Sequence, residues 1–580
     1  MKYIFGFFFG FVFNCISAQN SDTHIQLNQI GFYPAGNKIA IITAKPTGNK
    51  FYVVALPKKD TVFIGQLNAP VSSVYSSVVT QTADFSALRQ TGKYFIYVAG
   101  IGNSYPFSID NNVHKSVAVA ALKGFYYQRS DMPLLEKYAG KWARPAGHPD
   151  TAVIVHASAA TGTRPTGYII SAAKGWYDAG DYNKYIVNSG ITMGTLLSAY
   201  EDFPDYFTRL TTNIPETGNG LPDILNETLY NLRWMLTMQD EDGGIYNKCT
   251  GAKFDKMEMP NATKLPRYVV QKSTAATLDF SAVTAQATRI FARFKMTRAL
   301  SDSCLKASKL AWAWAIQNPK IEYNQDLNNK TFLPAITTGG YGDNHFEDEF
   351  FWAAAELYSS TGENMYLEKC QTFFSKNISL PSWSNVESLG LYTLLRKNKS
   401  ISLNGNLLAT PLLNFADALL KNGGNKAFRT IMGQSKNDYN WGSNSVAANQ
   451  GILLINAYLI SKDKKYVDAA LTNLDYLLGR NATGYCFVTG SGSKQVMHPH
   501  HRPSVADGIA APVPGLLSGG PNIGKQDKCK GYLYNEIENC FLDDDCSYST
   551  NEIAINWNAP LVYLVNALEA VIAKTENLRN

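Results

Sequence analysis

The chain has 580 residues, more than one ordinary hydrophobic core supports, so at least two domains are expected. Its 45% hydrophobic and 17% charged residues describe a globular protein, and a net charge of +6 is small for this length. With no run rich in Lys and Arg, nucleic acid and membrane surfaces are excluded as expected partners.

Behind Met1-Lys2 an apolar run extends from Tyr3 to Phe13, and Ile16-Ser17-Ala18 precedes Gln19. This is the layout of a secretory signal over residues 1–18, with cleavage expected after Ala18 and export to the periplasm or the medium. The run is too short to span a membrane. Cys15 raises the alternative of a surface lipoprotein, but Val12-Phe13-Asn14 is a poor lipobox. Seven cysteines follow: Cys249, Cys304, Cys370, Cys486, Cys529, Cys540 and Cys546. Their odd number and wide scatter argue against a disulfide framework. Cys529, Cys540 and Cys546 are close enough in sequence for one local bridge.

Between His24 and Ile109 the pattern is β. Ile39 to Thr43, Phe51 to Leu56, Val62 to Ile64, Tyr94 to Val98 and Tyr105 to Ile109 are short β-branched and aromatic runs separated by turn residues. A small β-sandwich over residues 19–111 is expected, acting as a support module. From residue 112 to 580 the texture becomes Ala-rich and helical. Phe280, Val283, Ala287, Ile290 and Phe294 return to one face every three or four positions, and Phe350 to Tyr358, Gly451 to Ile460, Tyr466 to Leu478 and Leu561 to Ile572 behave alike. About a dozen helices fit this length. A mostly α domain is expected, with no parallel sheet after residue 120. The long Gly-, Pro- and aromatic-rich stretches between helices are of the kind that carries function.

Three clusters carry candidate chemistry. In Gly175-Trp176-Tyr177-Asp178-Ala179-Gly180-Asp181-Tyr182-Asn183-Lys184-Tyr185, two carboxylates stand three residues apart with small residues between them. A helical pattern follows in Ile191, Leu196, Leu197 and Tyr200. Asp181 is therefore expected to cap that helix, where the dipole keeps a carboxylate ionised and suited to act as a general base; a plain Asp-Gly turn is the alternative. The second cluster is His498-Pro499-His500-His501-Arg502-Pro503. Pro499 breaks any helix that would align two His as metal ligands, so donors to hydroxyl groups are the better reading, on a loop flanked by Pro499 and Pro503. In the third, Asp543-Asp544-Asp545 reads as a solvated acidic loop, whereas Glu552 has apolar neighbours in Ile553, Ala554, Ile555 and Trp557. Burial raises a carboxyl pKa, so Glu552 is expected to be an acid. An ionised carboxylate and a carboxylic acid are the two partners of glycoside hydrolysis. The chain's 33 Tyr and 9 Trp would supply rings for sugar faces, although cores use such rings too.

All three clusters resemble those of glycoside hydrolase family nine, as do Phe125-Tyr126-Tyr127-Gln128-Arg129, Tyr341-Gly342-Asp343, Asp348-Glu349-Phe350-Phe351-Trp352 and Trp441-Gly442-Ser443-Asn444. Gln29-Ile30-Gly31-Phe32-Tyr33-Pro34 resembles the opening of the immunoglobulin-like domain that often precedes the catalytic domain in that family. The resemblance implies an (α/α)6 barrel and an inverting endo-β-1,4-glucanase acting on cellulose or a related β-glucan; the alternative is a xyloglucan- or mixed-linkage-glucan-specific or exo-acting β-glucanase, and the remote one an inactive glycan-binding protein. It implies that Asp181 is the catalytic base, Asp178 its water-holding partner, Glu552 the general acid and Asp543 a supporting carboxylate. His500, Arg502, Tyr548 and Trp441 are implied to bind substrate. No cofactor is required for the chemistry; structural calcium is consistent with the resemblance, with ligands that sequence does not name. The polysaccharide is the expected partner of a monomer. Cys486, Ser491 and Asn247 depart from the family pattern without touching the acid or the base.

Overall fold

The alternating runs before residue 110 pair into two small sheets. In one, Ile25–Gln26, Ile39–Ile42, Val79–Asp84 and Val71–Ser72 lie side by side in that order. In the other the order is Gly31–Phe32, Phe107–Ile109, Gly92–Val98, Lys50–Leu56 and Asp60–Gln66, with Gly102–Asn103 paired to Gly92–Val98. Ile42, Phe51, Val53, Ile96 and Phe107 turn inward and form one apolar core. The computed structural model describes residues 24–397 and 405–577; the signal segment 1–18 and Cys15 lie outside the described residues.

Buried polar contacts fasten the sandwich to the helical part. Asn28 Nδ2 donates to Asp475 Oδ1 (2.8 Å), Gln29 Nε2 to the Gly484 carbonyl (2.8 Å) and the Tyr33 hydroxyl to Glu569 Oε1 (2.6 Å).

From Lys115 onward, twelve helices of ten residues or more occur among the described residues, and they form an (α/α)6 barrel. Ile186–Asp202, Thr274–Phe291, Glu347–Thr361 and Ser443–Ser461 are buried along most of their length, as inner helices must be. Arg298–Gln317, Asn364–Phe373 and Lys464–Leu477 bury one face and expose the other. Ile186–Asp202 packs on both Thr274–Phe291 and the final helix Ile555–Asn577, which closes the ring. No helix among the described residues is long and apolar enough to cross a membrane.

One element differs from expectation. Ile169–Ile170, Val153–Val155, Arg267–Val269, Lys248–Gly251 and Lys184–Tyr185 form a small sheet in that order, and Val153–Val155 runs parallel to Arg267–Val269. This corrects the reading that no parallel pairing follows residue 120. The strands are only two to four residues long, too short for a period-2 pattern to register. Cys529 and Cys546 form the one disulfide among the described residues, and Cys540 is a buried free thiol.

Candidate active site

The three candidate clusters meet through their backbones. Ala179 bridges to Ala554 and His500 to Glu552, while the Ile555 N–H donates to the Asp178 carbonyl at 2.8 Å. The Gly180 carbonyl accepts from the Arg502 N–H (3.1 Å) and from Arg502 Nη1 (2.7 Å). The small residues between the two aspartates therefore admit two other chain segments at contact distance.

Asp178 and Asp181 are both buried, at 1% and 5% exposure. Asn188 Nδ2 donates to both oxygens of Asp178 (3.0 Å each) and the Tyr341 hydroxyl to its Oδ2 (3.3 Å). Asp181 Oδ2 accepts from Asn183 Nδ2 (2.5 Å) and from the Tyr185 hydroxyl (3.3 Å). Its Oδ1 is buried with no partner in the protein, which leaves one oxygen available to a reactant. Asn183 is itself fixed: its Oδ1 accepts from Thr250 Oγ1 (2.9 Å), the Gly251 N–H (3.0 Å) and Arg267 Nη1 (3.2 Å). Arg267 and Lys184 in turn hold the buried Asp150 at 3.1 and 2.7 Å.

The capping role expected of Asp181 is not what the structure shows. The helix starts at Ile186 with Tyr185 as its N-cap and no side-chain capping bond, because Lys184–Tyr185 first pairs as a strand with Lys248-Cys249. Asp181 therefore lacks the helix end that would have lowered its pKa. Burial pushes its carboxyl up, opposed by the charge of Arg502, the Asn183 hydrogen bond and the charge of Arg267. Burial pushes Asp178 well above the carboxyl range, and the neighbouring Asp181 adds to this. Glu552 is also raised well above, first by burial and then by Asp181 and Asp178. Three buried carboxyls this close do not all ionise. Asp181 has the strongest cationic support, so the negative charge resides there.

Glu552 follows the short helix Tyr548–Asn551, and its carboxyl is buried beside those of Asp178 and Asp181. Asp543 does not act directly on it. Its oxygens accept from the N–H groups of Met497 and His498 (2.9 Å each) and from Asn551 Nδ2 (3.1 Å), clamping the loop before His500 to the residue before Glu552. His500 lies outside any helix, and its Nδ1 donates to the Asp545 carbonyl; burial lowers its pKa and keeps the ring neutral. Arg502 departs from the loop reading, since it begins the short helix Arg502–Ala506. Its guanidinium is occupied by carbonyls: besides Gly180, Nε and Nη2 donate to Asp255 O at 3.0 and 2.9 Å. Pro503 explains the helix, because proline is tolerated in a first turn. Tyr548 stands between Trp441 (ring centroids 5.3 Å) and His500 (5.8 Å), and Trp441 is 41% exposed, so the three rings form a row leading to Glu552.

Asn183, Tyr185, Asn188 and Tyr341, which hold the two aspartates, were not singled out in the sequence as site residues. A buried amide on an inner helix, as at Asn188, must find a polar partner, and that need is the signal that identifies such a position.

A second acidic group lies between the helices Thr274–Phe291 and Glu347–Thr361. Asp279 and Glu349 are fully buried and neither oxygen of either has a protein partner; Asp343 Oδ2 also lacks one. Burial, then the nearby carboxyls, pushes Asp279 and Glu349 well above the ordinary range. Among the described residues no group of three or more His, Cys, Asp and Glu side chains is arranged to hold a metal ion.

A family model described as glycosyl hydrolase family 9 matches residues 114–565, and one described as a cellulase N-terminal ig-like domain matches residues 20–103. The chain is 44% identical over 579 residues to a xyloglucan-specific endo-β-1,4-glucanase of Bacteroides ovatus, covering 98% of each protein. It is 35% identical over 555 residues to endoglucanase D of Acetivibrio thermocellus, covering 93% of this chain and 83% of that protein. A solved family 9 structure from Bacteroides ovatus superposes with a TM-score of 0.90 at 44% identity, covering 95% of this chain and 99% of that one. Buried paired aspartates joined by backbone contacts to the segment that carries Glu552, on an (α/α)6 barrel that these models and relatives match nearly end to end, show that the chain belongs to glycosyl hydrolase family 9.

Proposed function

We propose that this protein is an exported, inverting endo-β-1,4-glucanase whose substrate is a decorated β-glucan of the xyloglucan type. The observation that carries the mechanism is the sharing of one backbone knot by Asp178, Asp181 and Glu552. Glu552, protonated by virtue of its raised pKa, donates its proton to the departing glycosidic oxygen. Asp181 accepts a proton from the attacking water at Oδ1, and Asp178, held by Asn188 and Tyr341, orients that water. Trp441 and Tyr548 offer ring faces to the sugar chain beside Glu552. Arg502 is a positioning residue here, since it holds Gly180 between the two aspartates.

Similarity along the full length to a xyloglucan-specific enzyme favours xyloglucan over cellulose. Product profiles on tamarind xyloglucan, carboxymethylcellulose and mixed-linkage glucan test this choice. Release of oligosaccharides from xyloglucan at a rate at least about tenfold above the others is expected; faster hydrolysis of carboxymethylcellulose overturns the xyloglucan assignment and restores a cellulase.

The unpartnered oxygens of Asp279 and Glu349 are hard donors of the kind calcium takes, so these two residues would hold a structural calcium. Bound there, calcium would neutralise the charge of the buried carboxylates and contribute to stability rather than to the chemical step.

A further inference from the structure

Lys248 is fully buried on the strand Lys248–Gly251 and forms no ion pair with a carboxylate among the described residues. Its Nζ lies 2.6 Å from Gln325 Oε1, 3.0 Å from Thr338 Oγ1 and 2.6 Å from the Gly339 carbonyl. Gln325 Nε2 donates to the Thr338 carbonyl (2.7 Å), which fixes the amide with its oxygen toward the lysine. Three acceptors thus converge on one nitrogen, and only the charged ammonium has three protons to give them. The rings of Tyr185 and Tyr323 flank the nitrogen at 5.5 and 5.4 Å.

The loop held in this way is the one that orients both aspartates. The Gly339 N–H donates to the Tyr185 hydroxyl (3.1 Å), which donates to Asp181 Oδ2. Tyr341, two residues on, donates to Asp178 Oδ2. Thr338 Oγ1 contacts Thr250 Oγ1 (2.7 Å), which donates to Asn183, the other donor to Asp181. The loop has little slack. Tyr341 adopts a left-handed φ of 51°, and a Cβ at Gly339 would lie 2.9 Å from the Tyr341 ring and 3.1 Å from the Tyr185 hydroxyl.

We propose that Lys248 is a positioning residue for hydrolysis, whose ammonium clamps the Thr338-Gly339 turn and thereby fixes the hydrogen bonds, and biases the charge, of the Asp178–Asp181 pair. The inference rests on reading Asp181 as the base. Burial brings the Lys248 pKa down to about 7, and the charge of Asp181 opposes that fall. The other groups that Asp181 feels are the cations Arg502 and Arg267, the acids Asp178, Glu552 and Asp255, and Tyr185. Removing a positive charge beside a carboxylate raises its pKa.

The test compares wild type with Lys248→Met, Lys248→Arg and Thr338→Val on a soluble β-glucan, with folded fraction measured by circular dichroism. Lys248→Met is expected to keep the native spectrum, lower kcat by about ten- to a hundred-fold as misplaced catalytic groups do, and leave KM within about threefold. The acid limb of its kcat–pH profile moves to higher pH. Lys248→Arg, which keeps the charge, leaves that limb in place. An unmoved limb overturns the proposal, whether kcat is unchanged or falls only in proportion to folded protein. If Lys248→Met does not fold, Thr338→Val decides: lower kcat at unchanged KM in fully folded protein supports the clamp, and wild-type kcat overturns it. Asp181→Asn, measured alongside, separates the two readings. Full activity in Asp181→Asn removes the base assignment itself, whereas an inactive Asp181→Asn beside a normal Lys248→Met removes only the clamp.

Discussion

The carbonyl of His500 lies so close over Gly180 that a Cβ built on the glycine would stand 2.0 Å from that oxygen. Both partners are backbone, so no rotamer change relieves the clash. Gly180→Ala should force the His500 segment away from Asp181 and cut kcat by about a hundred-fold, while the barrel still folds. Activity assays with circular dichroism check this; an Ala variant of wild-type activity would show that the two segments need not touch.

The raised carboxyls give the pH profile a direction. In the proposed mechanism Asp181 acts ionised, so its raised pKa moves the acid limb upward from the ordinary carboxyl range, and Glu552 acts protonated, so its raised pKa moves the alkaline limb upward as well. Glu552→Gln should lower kcat by about a hundred- to ten-thousand-fold and abolish the alkaline limb. A residual activity that keeps that limb would assign it to another group.

Asp150 serves stability. Burial opposes its ionisation, but the charges of Arg267 and Lys184 outweigh burial and hold its carboxyl below the usual range. A depressed folded-state pKa contributes stability that is complete above the unfolded value of about 3.9 and is lost as pH falls through the folded value. Asp150→Asn leaves two buried cations without a counter-charge and should cost about 3–5 kcal/mol at neutral pH. Urea unfolding should show that deficit at pH 7 and a smaller one only below about pH 4. Equal stability at pH 7 would mean that the cations find other support.

If Asp279 and Glu349 hold calcium, millimolar calcium should raise Tm and EGTA should lower it, with turnover per folded molecule unchanged. Asp279→Asn with Glu349→Gln should make Tm indifferent to calcium. A calcium effect on Tm that survives this double variant would place the ion elsewhere.

Asp181, Glu552 and His500, whose segments meet in the structure, stood out in the sequence because each lies in a long stretch of unusual composition, and small residues or prolines mark where chains must approach closely. The helices were legible because burial on one face imposes a period. What remained hidden came from tertiary pairing. The short sheet beside the site has strands too brief to show alternation, and one of them, Lys184–Tyr185, occupies the turn in which Asp181 was expected to act as a cap. The helix dipole was therefore the wrong source of charge support; Arg502, Asn183 and Arg267, distant in sequence or unremarkable in type, supply it instead. The donation of the Arg502 guanidinium to the Gly180 and Asp255 carbonyls also comes from segments distant in sequence. Asn188 and Tyr341 act through contacts that no local pattern encodes.

The division of labour between Asp181 and Glu552 is tested most directly by the anomeric configuration of the first product. Proton NMR recorded within the first minutes of hydrolysis of a β-1,4-glucan, before mutarotation, should show the α-anomer at the new reducing end, as attack by a base-activated water on the opposite face requires. Appearance of the β-anomer first would mean a covalent intermediate and retention, and would contradict the roles assigned to both residues.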